Sequence, residues 1–415
     1  MDNSIRIPLD LPDVRVLEVS KTDQGAWLIR VESTVNGTQC HRCGRQITQF
    51  HGCDAAIRLR HLPLFETPVF IEFCPKRYRC PFCEGTPTST QRLSWHELRS
   101  PNTKPYEQWL LRMLINSTVA EVARKLTISD ETVMGVLKRS VETQVNWNEF
   151  DQIEVVGIDE IALKRGHRDF ITLVSVPLIP SGVDIVAILA DRKKQTIANF
   201  FSSIPPRLKS TIQRVCTDMY QGFVAAAEEQ LPMAKVVVDR FHVAQAYRDC
   251  ADTVRKHEIR RLKQELSTEE YQQIKGAMWP FRKAPDDLND EEKALLERLF
   301  TYSPKLEQAY ILREELTEIF ESDDTKVGAK RAIRAWCKRV HKSGLDEFDS
   351  FLATIDTWLD KITNYFLEGW SSGFVEGFNN RVKVLKRRCY GIFDVEQIFQ
   401  RLTLDINGYE RFGYT

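Results

Sequence analysis

The chain has 415 residues, of which 42% are hydrophobic and 28% charged, with 58 Lys plus Arg balanced by 58 Asp plus Glu. That composition is of the soluble globular kind, and the length exceeds one ordinary core, so two to four domains are expected. The zero net charge excludes nucleic-acid affinity from global charge and leaves only local patches to supply it.

From the N-terminus, MDNSIRIPLDLPDV has no apolar signal core, and no later run approaches a membrane span, so a cytoplasmic protein without membrane association is expected. Residues 14–35 read as two strands around a Thr-Asp-Gln-Gly turn. Six of the ten cysteines fall between Cys40 and Cys83, and in a reducing compartment they point to metal binding or free thiols instead of disulfides. Two Cys-x-x-Cys knuckles, Cys40/Cys43 and Cys80/Cys83, could bring four thiolates around one structural Zn²⁺. Cys53, Cys74, His41 and His51 are possible substitute ligands. Four filled positions leave none for chemistry, so this metal would hold structure. The segment between the knuckles, ending PVFIEFCPKRYRC, is expected to form a small ribbon.

From Pro105 the pattern turns helical. YEQWLLRMLIN gives one amphipathic helix, 117–126 a second, and 130–139 a third, with Thr127-Ile128-Ser129 as the turn. Ser129 is a plausible N-cap, and Ser117 with Glu121 an approximate capping box. This is a helix-turn-helix pattern with 130–139 as recognition helix, presenting Thr132, Lys138 and Arg139 to DNA. Thr127 stands where such turns usually carry Gly.

A different architecture opens at Ile153. An apolar strand carries Asp159 in its middle, followed by a polar hairpin loop (Lys164–Arg168) and strands at 170–176 and 183–189. A helix over 193–205, a strand ending at Asp218, a helix over 221–230 and a strand ending at Asp239 complete a β-β-β-α-β-α-β order. Such a mixed sheet puts Asp159 and Asp218 on adjacent strands, where two carboxylates can share divalent metal ions. Residues 243–366 then contain no convincing strand and read as an all-α insertion. Within it the basic run from Arg255 to Lys263 is either a solvated face or a DNA contact. The last signal is the helix over 371–391. Glu376, Asn379, Asn380, Lys383 and Arg387 share one of its faces: a carboxylate, two amides and then only positive charge. An acid leading into a basic helix suits a metal site beside a nucleic-acid backbone.

Taken together, the two knuckles, Val156-Gly157-Ile158-Asp159-Glu160, Cys216-Thr217-Asp218-Met219-Tyr220, Val238-Asp239-Arg240-Phe241-His242 and Glu376-Gly377-Phe378-Asn379-Asn380-Arg381-Val382-Lys383 resemble the DDE transposases of bacterial insertion sequences, specifically the ISL-three family. The resemblance runs from about residue 35 to the end, and its specificity lies in the order and spacing of the motifs. It implies an α/β multi-domain chain: a zinc ribbon over 1–100, a helix-turn-helix over 101–150, an RNase H-like core over 151–242, the all-α insertion over 243–366, and C-terminal core helices over 367–415. It further implies a catalytic, metal-binding triad of Asp159, Asp218 and Glu376 holding two Mg²⁺ (or Mn²⁺) per active site, with Asp239 and His242 in a secondary role. The partners implied are double-stranded DNA, both terminal inverted repeats and target, and a homodimer or larger synaptic assembly on the bacterial nucleoid. An RNase H-fold nuclease or resolvase without strand transfer would use the same acids. A transcriptional regulator would explain residues 35–140 and leave the acids without purpose.

Overall fold

The computed structural model describes residues 8–162, 170–178, 182–367, 373–389, 391–392 and 394–413, without the Glu376 side chain. The expected loop Lys164–Arg168 lies outside the described residues, as do Ser371, Ser372 and Tyr390. The chain divides into two compact units, residues 1–142 with 403–415, and residues 143–402.

In the first unit the strands Val14–Lys21 and Trp27–Ser33 form the expected hairpin, with Gly25 in the left-handed region its turn needs. They continue into a four-stranded sheet with Thr67–Phe73 and Ile57–Leu64. The expected single ribbon is split between two sheets. Thr67–Phe73 belongs to this one, whereas Lys76–Arg79 pairs with Gln49–Cys53 and Thr88–Thr90. Pro75, which has no N–H to donate, marks the break.

Three helices follow, α1 (Lys104–Leu114), α2 (Val119–Leu126) and α3 (Asp130–Ser140). Their caps are Thr103, Thr118 and Ser129, each accepting an N–H from the first turn. The α2 cap is thus Thr118, one residue beyond the expected Ser117, whose hydroxyl instead donates to Glu121 Oε2 at 3.2 Å. Thr127 closes the turn at φ 52°, the left-handed conformation that Gly adopts without strain, so the chain keeps the helix-turn-helix geometry with a β-branched residue. Leu110, Leu111, Val122, Ala123, Val133 and Leu137 form the core between these helices, and Leu404 from the far end of the chain joins them.

The second unit is built on a five-stranded sheet of β1 (Val155–Ala162), β2 (Phe170–Pro177), β3 (Val183–Leu189), β4 (Arg214–Thr217) and β5 (Lys235–Val238). Its spatial order is β3-β2-β1-β4-β5, antiparallel across the first three strands and parallel from β1 through β5. Helices α4 (Lys194–Ser203) and α5 (Gln221–Gln230) make the crossovers. The parallel strands are buried on both faces, so β1 and β4 read as apolar runs and not as alternating ones. After β5 the chain is helical, beginning with α6 (Arg240–Glu265) and continuing to residue 367. Val254, Leu316, Trp336 and Phe351 from this stretch lie in the same hydrophobic cluster as Val156, Ile158, Val215 and Val238 of the sheet. Two final helices, α7 (Gly373–Arg388) and α8 (Val395–Phe412), complete the chain.

Candidate active site

Register places the acids. Ile158 of β1 is paired with Thr217 of β4, and Thr217 with Val238 of β5. The next residue on each strand is therefore Asp159, Asp218 and Asp239, in one row at the carboxyl end of the parallel strands. Parallel sheets collect ligands at that end, and neighbouring strands stand about 4.8 Å apart. Asp239 N–H donates to Thr217 O at 2.8 Å, continuing the ladder one step past the strands. Its carboxylate also caps α6 by accepting the Phe241 N–H at 2.8 Å, which brings His242 into the first helical turn beside the row.

The row faces α7. Val155, Cys216 and Val237 alternate with the residues packed in the main core and form a separate cluster with Phe374 of α7. Gly157 lies on the same side, two residues before Asp159. A Cβ there would stand 2.6 Å from Val375 Cγ2 and 2.8 Å from the Phe374 ring. Glycine at 157 thus lets the first side chains of α7 pack directly on the backbone of the strand that carries the first acid. Val375, Phe378, Val382 and Leu385 are the buried seat of α7, as its apolar spacing predicts. Lys386 Nζ donates to Ala162 O and ties the helix to the end of β1. Glu376 belongs to the second turn of this helix, between Val375 and Phe378.

The face expected to carry Asn379, Asn380, Lys383 and Arg387 together is divided. Asn380, Lys383 and Arg387 are exposed, whereas Asn379 is buried and donates Nδ2–H to Asp159 Oδ2. Asp159 Oδ1 accepts the Glu160 N–H at 2.6 Å. Asn379 Oδ1 is buried with no hydrogen-bond partner among the described residues. Burial raises the Asp159 carboxyl above its ordinary range, and the charge of Asp239 adds to this. Asp218 is pushed up to about 6, by burial first and by the charge of Asp159 second. Buried acids in a row, with an amide oxygen beside them that lacks a partner among the described residues, are hard oxygen donors of the kind a divalent cation such as Mg²⁺ or Mn²⁺ takes.

A cluster of four thiols lies in the first unit. The sulfurs of Cys40, Cys43, Cys80 and Cys83 all lie within 4.8 Å of one another, the one such group of His, Cys, Asp or Glu among the described residues. Cys40 Sγ is 3.9 Å from Cys83 Sγ, and Cys43 Sγ 3.7 Å from Cys80 Sγ. Each knuckle turns on a glycine with positive φ, Gly44 at 70° and Gly85 at 75°. The Cys43 N–H draws the Cys40 thiol down to about 6, whereas Cys83 is pushed up to about 12, its hydrogen bond with Cys43 being the largest cause. Four such sulfurs fit zinc. Cys53 and Cys74 are exposed and outside this group, His41 Nδ1 is occupied with Ser89 Oγ at 2.9 Å, and His51 Nδ1 with Arg79 at 3.2 Å.

On α3, Lys138 is exposed, Thr132 is half-buried with its hydroxyl 3.2 Å from the Ser129 cap, and Arg139 is ion-paired to Glu107 at 2.5 Å. No helix among the described residues is long and apolar enough to cross a membrane.

A family model described as a transposase matches residues 156–402, from within β1 to within α8. The chain belongs to the ISL3 family of transposases. A second model, described as the helix-turn-helix domain of transposase family ISL3, matches residues 91–141. This transposase is 28% identical over 391 residues to the transposase for insertion sequence element IS1001 of Bordetella parapertussis, covering 94% of each chain. It is 22% identical to the transposase for IS1557 of Mycobacterium tuberculosis, over 89% of this chain and 86% of that one. Among solved structures, a Drosophila P element transposase strand transfer complex aligns with 78% of this chain and 94% of that one, at a TM-score of 0.41 and 10% identity.

Two features of the ISL3 transposase escape sequence reasoning. Asn379 sits with polar and basic neighbours at helical spacing, and only packing shows that it turns inward. Gly157 lies in an apolar strand run, where an isolated glycine is itself the sign of a close backbone approach.

Proposed function

We propose that the protein cuts DNA at the ends of an insertion sequence and joins those ends to a target, by DDE chemistry at Asp159, Asp218 and Glu376. The observation that carries this reading is the register row of Asp159 and Asp218, with α7, the helix bearing Glu376, seated through Gly157 on the same face. The β3-β2-β1-β4-β5 order supports an RNase H-like core. Asp159, Asp218 and Glu376 would hold two Mg²⁺ or Mn²⁺ ions, which when bound activate water or a DNA 3′-hydroxyl and stabilise the leaving oxygen. The chain's own groups do the rest. Asn379 fixes the orientation of the Asp159 carboxylate, as partners of metal-bound carboxylates do. Asn380, Lys383 and Arg387, exposed along α7, lie where they can hold the DNA backbone beside the acids. Asp239 and His242 close the row from the start of α6.

The four-thiol cluster would hold one structural Zn²⁺, and α3, through Thr132 and Lys138, would read the terminal inverted repeats, with backbone contacts setting affinity. Arg139, anchored to Glu107, would set the helix more than touch bases. Joining two ends requires synapsis, so a homodimer or larger assembly on DNA is expected.

The test is a Mg²⁺-dependent assay on a labelled inverted-repeat end, comparing the wild type with Asp159→Asn and Glu376→Gln. Both substitutions abolish cleavage and leave end binding intact. Cleavage that survives either one sinks the triad; cleavage without joining turns the reading to a nuclease.

A further inference from the structure

The acids at the head of the parallel strands repel the phosphates they must meet, so the same rim needs fixed positive charge. Besides Lys383 and Arg387 of α7, Arg192 supplies it by construction. Leu189 at the end of β3 is in register with Thr172 of β2, and Thr172 with Glu160 of β1, so the loop after β3 emerges at the same end of the sheet as Asp159, on the face that Glu160 occupies. That loop is pinned. Thr172, fully buried, donates its hydroxyl to Asp191 O at 3.0 Å, and Asp191 Oδ1 accepts the Lys193 N–H at 2.9 Å. The Arg192 guanidinium then lies between two rings, 4.8 Å from the centroid of Phe170 and 4.9 Å from that of Tyr220. Its Nη1 donates to both oxygens of Glu160, at 2.9 and 3.2 Å. Glu160 directly follows Asp159, and Tyr220 comes two residues after Asp218.

We propose that Arg192 binds a backbone phosphate of the DNA strand that lies across the acid row. A guanidinium held over two aromatic rings and paired through one nitrogen is restrained, and it still has donors to offer. Nε and Nη2 have no protein partner among the described residues, and 41% of the side chain is open to solvent. Those donors point to an anion from outside. Glu160 offsets the charge of Arg192 without filling the fork, so the residue is oriented before DNA arrives. The inference rests on the proposed reading for the position of the strand.

The experiment uses the full chain and a duplex carrying the element's terminal inverted repeat, with binding measured over a range of salt in Ca²⁺ and cleavage in Mg²⁺. Arg192→Gln lowers the slope of log affinity against log salt by about one and slows cleavage tenfold or more. Arg192→Lys keeps the slope and still slows cleavage, because charge remains and the stacked fork does not. A folded Arg192→Gln protein with an unchanged slope reduces Arg192 to a brace between two strand ends and overturns the proposal. If Arg192→Gln does not fold, wild-type cleavage by Arg192→Lys overturns it. Asp159→Asn is run alongside: cleavage by that variant removes the metal reading, whereas a dead Asp159→Asn with normal Arg192 variants removes this proposal alone.

Discussion

The four-thiol cluster and the acid row are both suited to metal, and they are built in opposite ways. The thiols come from two short knuckles, each closed by its own glycine turn, with all four sulfurs within 4.8 Å. Such a site uses every position of a tetrahedral ion and leaves nothing for substrate. Asp159, Asp218 and Asp239 come from three separate strands. Register alone brings them into one row, and beside Asp159 lies a buried amide oxygen, Asn379 Oδ1, without a partner among the described residues. Hard, spaced oxygens bind a cation loosely enough for water and phosphate to share it. A tight, soft, local site holds a fold, and an open, hard, long-range site can do chemistry.

The comparison breaks most visibly at the thiols. Cys40→Ser combined with Cys80→Ser removes about one equivalent of zinc and unfolds the knuckles, because binding energy at such sites is folding energy. Metal analysis with circular dichroism checks this; zinc retained at one equivalent refutes the cluster as the ligand set. At the acid row, a subtler change should matter. Asn379→Leu keeps the bulk of the buried side chain, removes the donor on Asp159, and slows cleavage about 10- to 100-fold with end binding unchanged. Wild-type turnover would mean that Asp159 is oriented by other groups.

The two sites also differ in pH response. Asp218, held at about 6 in the metal-free fold against an ordinary 3.8, binds its proton more tightly folded than unfolded. Its contribution to stability is present below about pH 4 and is lost as pH rises through about 6. A bound Mg²⁺ or Mn²⁺ favours the ionised carboxylate, so the metal-induced rise in melting temperature should be larger at pH 7 than at pH 5. An equal rise at both pH values contradicts the assignment. The smallest effect is expected at Gly157→Ala. The added methyl meets Val375 and Phe374 and costs about 1–3 kcal/mol, seen as a drop of a few degrees in melting. An unshifted melting curve would mean that α7 yields at no cost.

Much of this is legible in the sequence. The knuckles announce themselves by Cys-x-x-Cys spacing, the helix-turn-helix by helical periodicity with Ser129 as cap, and the sheet by apolar runs ending in Asp218 and Asp239. Those signals are local. The N-terminal sheets were only half legible, because Thr67–Phe73 and Lys76–Arg79 look continuous and their partners lie elsewhere in the chain. Helical spacing alone groups Asn379 with Asn380, although adjacent residues on a helix differ by about 100° and one of them meets the sheet.

What the sequence determined by itself is which residues could do chemistry: four thiols in pairs, two acids on adjacent strands, one mid-strand and one at a strand end, and one acid on a basic helix. What only the tertiary structure decided is which of them share a place. Register aligned Asp159, Asp218 and Asp239, a missing side chain at Gly157 let α7 approach, and close packing turned Asn379 onto Asp159 and set Arg192 between two rings. The physical reason is distance along the chain. Turns, caps and periodicity are set by neighbours a few residues away, whereas strand order and helix seating depend on burial across hundreds of residues.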